Sequence, residues 1–178
     1  MLRENSAPRE SSEEKAKISP PRIVVIGVGN LLLKDEGIGV HTIKALQEIN
    51  LPHNVMIIDG GTSPDLIACT GYGDKLIIID AARAGGEPGT IYRFHPDDLM
   101  TEDGKMISLH ELGVERNLKL MSLTGNRPEE IVIIGIEPGE IDWGLELSPT
   151  LKEKIPQIVR VVLREITPGL TETTIKTD

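Results

Sequence analysis

The sequence predicts a three-layer α/β/α fold, with a mainly parallel, twisted central sheet and helices on both faces. Four short runs are apolar at nearly every position, which is typical of strands that are buried on both sides. These runs are IVVIGV after Arg22, VMII from Val55, LIII from Leu76 and IVIIGI from Ile131. Segments with helical spacing alternate with the runs, and this alternation favours right-handed crossovers between parallel strands.

Four helices and one further strand are expected between these runs. The first helix covers residues 38–49 with Pro52 as its stop, and the second begins at Ser63-Pro64. The others cover residues 108–123 and 150–165, and Pro156 is expected to kink the last helix or delay its start. Residues 90–94 alternate between polar and apolar positions, which indicates a strand near the edge of the sheet.

Composition limits both the domain organisation and the classes of partner. We expect a tail at residues 1–20, a single α/β domain at residues 21–167 and a second tail at residues 168–178, in a chain of 178 residues. A formal net charge of -9 and only 2% aromatic residues disfavour nucleic acids and membrane surfaces as partners. Cys69 is the single cysteine, so an intramolecular disulfide and a multi-thiolate metal site are excluded. Neither a secretory signal nor a membrane-spanning run is visible, and a reducing, cytoplasmic setting is expected. We also expect the protein to be a monomer.

Acidic residues follow three successive strands, and this is the main functional signal. Asp35 and Glu36 come after the first strand, Asp59 after the second and Asp80 after the third. The carboxyl ends of parallel strands share one edge, so these acids should face a common ligand there. With His110 as a nitrogen ligand, the set suits a divalent transition metal such as nickel, zinc or iron. The alternative is that each acid only caps a turn or a helix.

Other residues give weaker signals. His41, His53 and His95 are expected in surface or capping roles, and Cys69 in packing. Trp143 either lines a groove or packs against the domain. The sequence contains neither G-x-S-x-G nor H-E-x-x-H, which argues against a serine hydrolase and a zincin.

A set of motifs in order resembles the hydrogenase maturation endopeptidases, from about Arg22 to Glu165. The motifs are GVGN from Gly27, DEG from Asp35, DGGT from Asp59, DA at Asp80 and SLHELG from Ser108. The resemblance implies a hydrolase, an aspartyl-type endopeptidase, that removes the C-terminal extension from the large-subunit precursor of a nickel-iron hydrogenase after nickel insertion.

The resemblance also implies roles for particular residues. Glu36, Asp80 and His110 would form the catalytic and metal-recognising site, and Asp59, Asn30 and Asp35 would orient the substrate. No permanent cofactor is expected, because nickel would arrive with the precursor, although other divalent metals could occupy the same ligands.

Two alternative functions remain open from the sequence. The first is a nonenzymatic, metal-dependent chaperone of the precursor, since no nucleophile is evident. The second is a nucleotide-binding protein, since Gly27 and Gly29 follow a strand. Leu32 stands where the third glycine of G-x-G-x-x-G should fall, and the adjacent acids would repel a pyrophosphate.

Overall fold

The computed structural model describes residues 20–62, 73–99 and 127–167, together with residues 117, 120, 121 and 123. The strands are β1 (Ile23–Val28), β2 (Val55–Gly61), β3 (Lys75–Ala81), β4 (Ile91–Phe94) and β5 (Glu130–Ile136), and the helices are α1 (Ile38–Gln47) and α2 (Pro149–Ile166). Two short 3-10 turns cover Lys34–Gly37 and Pro96–Leu99. None of the described helices is long and apolar enough to cross a membrane.

The five strands form one sheet in the order β2-β1-β3-β5-β4. The four apolar strands β1, β2, β3 and β5 are parallel to one another, and β4 pairs antiparallel with β5 at one edge. The predicted mainly parallel sheet and the edge strand at residues 90–94 are therefore confirmed. Strands β2 and β3 are longer than predicted, so that Asp59 and Asp80 lie in the last residues of their strands rather than beyond them.

Apolar clusters cover both faces of the sheet, and this explains why the central strands lack polar alternation. On one face, Val25, Ile77 and Val132 pack with Leu46 of α1 and Ile158 of α2, among others. The second cluster, on the opposite face, has the following members: Val24, Ile26, Val28, Leu76, Ile78, Ala82, Phe94, Met121, Ile131 and Ile133. Residues 117, 120, 121 and 123 are helical, in agreement with the predicted helix over residues 108–123, of which the rest lies outside the described residues.

Helix α2 begins where the sequence predicts. The Ser148 hydroxyl accepts a hydrogen bond from the Leu151 N–H (3.4 Å), and Pro149 occupies the first turn, where its missing N–H costs nothing. Pro156 lies inside this continuous helix, so the expectation that it delays the start of the helix is wrong.

An ion-pair network at the amino ends of the parallel strands joins α2 to the sheet. The Lys75 ammonium lies 3.0 Å from both Glu130 and Glu165, and the Arg93 guanidinium lies 2.6 Å from Glu165. Burial by itself would raise the pKa of Glu165, but the hydrogen bonds from Arg93 and Lys75 outweigh it and lower this pKa. The acids of the predicted site lie at the opposite end of the sheet, where Asp59 and Asp80 are near the carboxyl ends of their strands.

Candidate functional site

Two glycines bring helix α1 into backbone contact with the sheet. A Cβ atom on Gly27 would overlap the carbonyl oxygen of Gly39, and a Cβ atom on Gly39 would overlap the carbonyl oxygens of Val28 and Ile79. A larger residue at either position would push α1 away from β1 and β3. Close packing therefore sets the place of the 3-10 turn that precedes the helix.

The loop between β1 and α1 is shaped around the backbone of Glu36. Gly29 has φ of 145°, and a Cβ atom there would overlap the Glu36 carbonyl oxygen. The Asn30 side chain accepts a hydrogen bond from the Leu32 N–H (3.0 Å), and the Glu36 N–H donates to the Leu33 carbonyl (3.2 Å). The glycines thus serve internal packing, which removes the reason for interpreting them as a phosphate-binding loop.

Glu36 and Asp80 are two nearly buried carboxylates at the carboxyl end of the sheet. Their exposed fractions are 9% and 2%. The turn that contains Glu36 packs against β3, the strand that contains Asp80, and Asp80 lies in register with Gly135 of the central neighbour β5. His110, the third residue of the predicted trio, lies outside the described residues. Among those that are described, no group of three or more His, Cys, Asp or Glu side chains is placed to hold a metal ion.

Asp35 is fully buried and its carboxylate holds a neighbouring loop. One oxygen accepts hydrogen bonds from the N–H groups of Gly139 (2.9 Å) and Glu140 (2.7 Å), and the other accepts from the Ser148 N–H (2.7 Å). The short stretch around Asp35 therefore fixes the connection from β5 to α2. A direct contact between Asp35 and a substrate stays a prediction.

Asp59 lies at the end of β2, opposite Gly27 of β1, and is exposed. Its carboxylate accepts a hydrogen bond from the Gly61 N–H at 2.9 Å. This contact is the turn-stabilising role that the sequence left open as an alternative. A role in orienting a substrate stays a prediction for Asp59, as it does for Asn30.

Glu137 is a buried acid of this edge that the sequence reasoning missed. Its carboxylate accepts hydrogen bonds from the N–H groups of Ala84 (2.9 Å) and Gly86 (3.1 Å) and from the Tyr92 hydroxyl (2.9 Å). Burial would raise the pKa of Glu137, but these hydrogen bonds to the charged form lower it overall. Glu137 thereby fixes the loop that follows Asp80. Glu137 directly follows the apolar strand β5, and Asp80 lies near the end of the apolar strand β3. The shared pattern of an acid at the end of an apolar run could have identified Glu137 in the sequence.

The weaker sequence signals have mixed outcomes. His53 and His95 are exposed, as expected, and the His95 ring contacts Arg93 and the Ile131 carbonyl. His41 is partly buried, and burial lowers its pKa. Cys69 lies outside the described residues. Trp143 is 76% exposed, so the interpretation that it packs against the domain is wrong.

Comparisons with known proteins agree on one family. The family model described as hydrogenase maturation protease matches residues 40–165. The hydrogenase expression/formation protein HupD of Thiocapsa roseopersicina is 38% identical over 149 residues, which cover 82% of this chain and 67% of HupD. The hydrogenase 2 maturation protease of Escherichia coli K12 is 36% identical over 145 residues, which cover 80% of this chain and 88% of that protein.

Solved structures give the same result. The hydrogenase maturating endopeptidase HybD from E. coli superimposes with a TM-score of 0.72 at 34% identity, over 82% of this chain and 91% of HybD. The maturation protease HycI from Thermococcus kodakarensis KOD1 superimposes with a TM-score of 0.67 at 26% identity, over 83% of this chain and 93% of HycI. The α/β fold is therefore shared with solved endopeptidases.

Proposed function

The chain belongs to the hydrogenase maturation protease family and is a hydrolase, and from this premise we propose which bond it cleaves and how it selects the substrate. The substrate in this proposal is the large-subunit precursor of a nickel-iron hydrogenase. The enzyme removes the C-terminal extension of that precursor after nickel has been inserted. The observation that carries the proposal is the pair of nearly buried carboxylates, Glu36 and Asp80, at the carboxyl end of the parallel strands.

Substrate selection rests on the metal that the precursor carries. Carboxylate oxygens are suitable ligands for a divalent cation, and an imidazole nitrogen from His110 would complete a mixed oxygen and nitrogen set that suits nickel. Nickel is thus cargo of the substrate, and the enzyme needs no cofactor of its own. Zinc or iron could occupy the same ligands in the free enzyme.

The reaction is hydrolysis of a peptide bond, so one group must accept the proton of the attacking water. A carboxylate of Glu36 or Asp80 is suited to that task as a general base, in keeping with an aspartyl-type endopeptidase. Nickel bound to the precursor supplies Lewis acidity when it is in place.

Supporting residues give the two carboxylates their geometry. Asn30 and Gly29 shape the loop before Glu36, and Glu137 fixes the loop after Asp80. Asp59 adds a carboxylate at the exposed end of β2, where it would orient an incoming peptide.

The single cysteine, which cannot form an internal disulfide, suits a reducing cytoplasmic setting for the enzyme.

Mass spectrometry of the precursor before and after incubation tests the proposed cleavage. Loss of a C-terminal peptide is expected, whereas an unchanged mass in a stable complex would mean that the chain acts as a chaperone. The variants Glu36→Gln, Asp80→Asn and His110→Ala should each abolish this loss of mass. The first two replace a carboxylate with an amide of the same shape, and thermal melts by circular dichroism should show that both variants fold. Full activity in one variant would remove that residue from the site.

A further inference from the structure

Four large apolar side chains are exposed on two segments beside the turn that contains Glu36. They are Leu32 (52% exposed), Ile141 (37%), Trp143 (76%) and Leu145 (64%), and we call them the Trp143 patch. Single exposed apolar residues are ordinary on protein surfaces. Several of them on two segments that lie side by side are typical of a surface that binds another protein.

Backbone hydrogen bonds hold the two segments together. The Lys34 N–H donates to the Gly144 carbonyl, and the Gly144 N–H donates to the Leu32 carbonyl, both at 3.0 Å. The Asp35 N–H donates to the Glu140 carbonyl at 3.1 Å, and the Asp35 carboxylate accepts hydrogen bonds from the N–H groups of Gly139 and Glu140 in the same loop. The backbone therefore fixes the patch without burying its apolar side chains. A partner meets a preformed surface, which lowers the entropy lost on binding.

The patch is adjacent to the candidate active site along the chain. Leu32 precedes Glu36 by one short turn, in which the Glu36 N–H bonds back to the Leu33 carbonyl. Asp35, which directly precedes Glu36, connects this turn to the loop that contains Trp143 through its hydrogen bonds with Gly139 and Glu140. A protein docked on the patch therefore lies beside the turn that contains Glu36.

Charge around the patch indicates the chemistry of the partner. Glu140, Asp142 and Glu146 lie on the same loop as Trp143, and all three are exposed. Lys34 pairs with Glu140 (2.8 Å), and Lys152 pairs with Glu146 (3.4 Å). Asp142 makes no ion pair with a described residue, so the loop keeps a negative excess within a chain of formal net charge -9. Positive side chains on a partner would complement this border.

We infer that the Trp143 patch is the docking surface for the large-subunit precursor, which binds it through an apolar segment flanked by lysine or arginine residues. The inference rests on the proposed function and adds to it a contact away from the scissile bond. Exposed tryptophans are common among the residues that dominate binding energy at protein interfaces. The patch thus adds affinity for the precursor beyond the contacts that Glu36 and Asp80 make at its nickel and its scissile bond.

The inference predicts a separation between binding and turnover. Trp143→Ala should weaken binding of the nickel-loaded precursor by about tenfold to a hundredfold. The same variant should raise KM and leave kcat unchanged, because the patch does not touch the reacting atoms. Asp80→Asn should instead abolish cleavage, because it removes a carboxylate of the active site.

Biolayer interferometry with immobilised nickel-loaded precursor measures the affinities. Met56→Ala serves as the matched control, because Met56 is 47% exposed on β2 but lies near the amino end of that strand, and this variant should bind like the parent. The double variant Asp142→Asn, Glu146→Gln should associate more slowly at low salt and show a weaker salt dependence. Leu145→Ser provides a second test of the patch with a different side chain.

Trp143 is the only tryptophan of the chain, so it gives a direct spectroscopic readout. Protein that contains 5-fluorotryptophan should show one ¹⁹F resonance, which shifts or broadens when unlabelled precursor is added. An unshifted resonance in a complex that still forms would overturn the inference, as would parent-like affinity in both Trp143→Ala and Leu145→Ser. Self-association that disappears in Trp143→Ala would instead identify a second copy of this chain as the occupant, and would equally overturn it.

The outcomes separate this inference from the proposed function. If the parent binds the precursor without cutting it, the proposed cleavage fails, and the effect of Trp143→Ala on affinity still decides the docking surface. If the parent cuts the precursor but the patch variants keep the parental KM, only the docking surface fails. If the parent does not bind the precursor at all, the docking inference is overturned.

Discussion

Replacement of Asp35 by asparagine tests whether this acid supports the loop that contains Trp143. The Asp35 carboxylate accepts hydrogen bonds from the N–H groups of Gly139, Glu140 and Ser148 at 2.7 to 2.9 Å, and the side chain is fully buried. An amide has one acceptor oxygen, so its NH₂ group must face at least one of these donors. The variant should therefore lose one hydrogen bond and the charge that strengthens the other two.

The magnitude follows from those contacts. A hydrogen bond to a charged group contributes about 1.5–3 kcal/mol, so loss of one bond and weakening of two others should lower the free energy of unfolding by about 2–4 kcal/mol. For a domain of this size the change corresponds to a decrease in Tm on the order of 10 °C. Urea unfolding followed by circular dichroism measures the free energy, and a thermal melt gives the Tm.

Glu140→Gln is the matched control for the Asp35 variant. Glu140 is exposed and forms an ion pair with Lys34 at 2.8 Å, and such a surface pair contributes little to the free energy of unfolding. A parent-like free energy of unfolding for Asp35→Asn, together with loss of precursor cleavage, would refute the supporting role and favour direct contact between Asp35 and the substrate. A loss of stability in both variants of similar size would also refute the reasoning.

Two further predictions concern the glycine loop and the partly buried histidine. Gly29→Ala should lower stability by about 1–3 kcal/mol and reduce cleavage, because a methyl group at φ of 145° overlaps the Glu36 carbonyl. Gly61→Ala, at φ of 55° in open space, should lower stability less and serves as its control, so equal losses of stability and activity in the two variants would contradict the overlap argument. Burial lowers the pKa of His41, so the unfolded chain binds a proton more readily than the folded chain, and stability should fall as pH decreases below about 6.5. Thermal melts between pH 7.5 and 5 should show that His41→Gln reduces the decrease in stability at low pH, whereas replacement of the exposed His53 leaves this decrease unchanged. A dependence of Tm on pH in His41→Gln that equals that of the parent would contradict the role of His41.

The strands and their shared acidic edge were predictable because both depend on local pattern. Runs such as IVVIGV and IVIIGI are apolar at every position or nearly so, and only strands covered on both faces require that. Parallel pairing then places Glu36 and Asp80 at one end of the sheet. The exact strand ends were not predictable, because the last residues of β2 and β3 are held by pairing with β1 and β5, which lie far away in sequence.

The different roles of Asp35, Glu36 and Glu137 were not predictable from the sequence. Asp35 and Glu36 are adjacent, yet the Asp35 carboxylate is hydrogen-bonded to a loop that begins about a hundred residues later in the chain. Glu137 accepts hydrogen bonds from a loop that precedes it by about fifty residues. Such contacts depend on which loops the fold brings together, and no local spacing encodes them. Whether Trp143 is exposed or packed could not be predicted either, because this also depends on which loops the fold brings together.

Dependence of cleavage on nickel is the most direct test of metal recognition by the enzyme. Precursor prepared with and without nickel is incubated with the parent enzyme, and intact mass spectrometry follows the loss of the C-terminal peptide over time. The nickel-loaded precursor should be cleaved and the nickel-free precursor should stay intact, with cleavage restored when nickel is inserted. Cleavage of both forms at the same rate would contradict the claim that Glu36, Asp80 and His110 recognise the metal of the substrate.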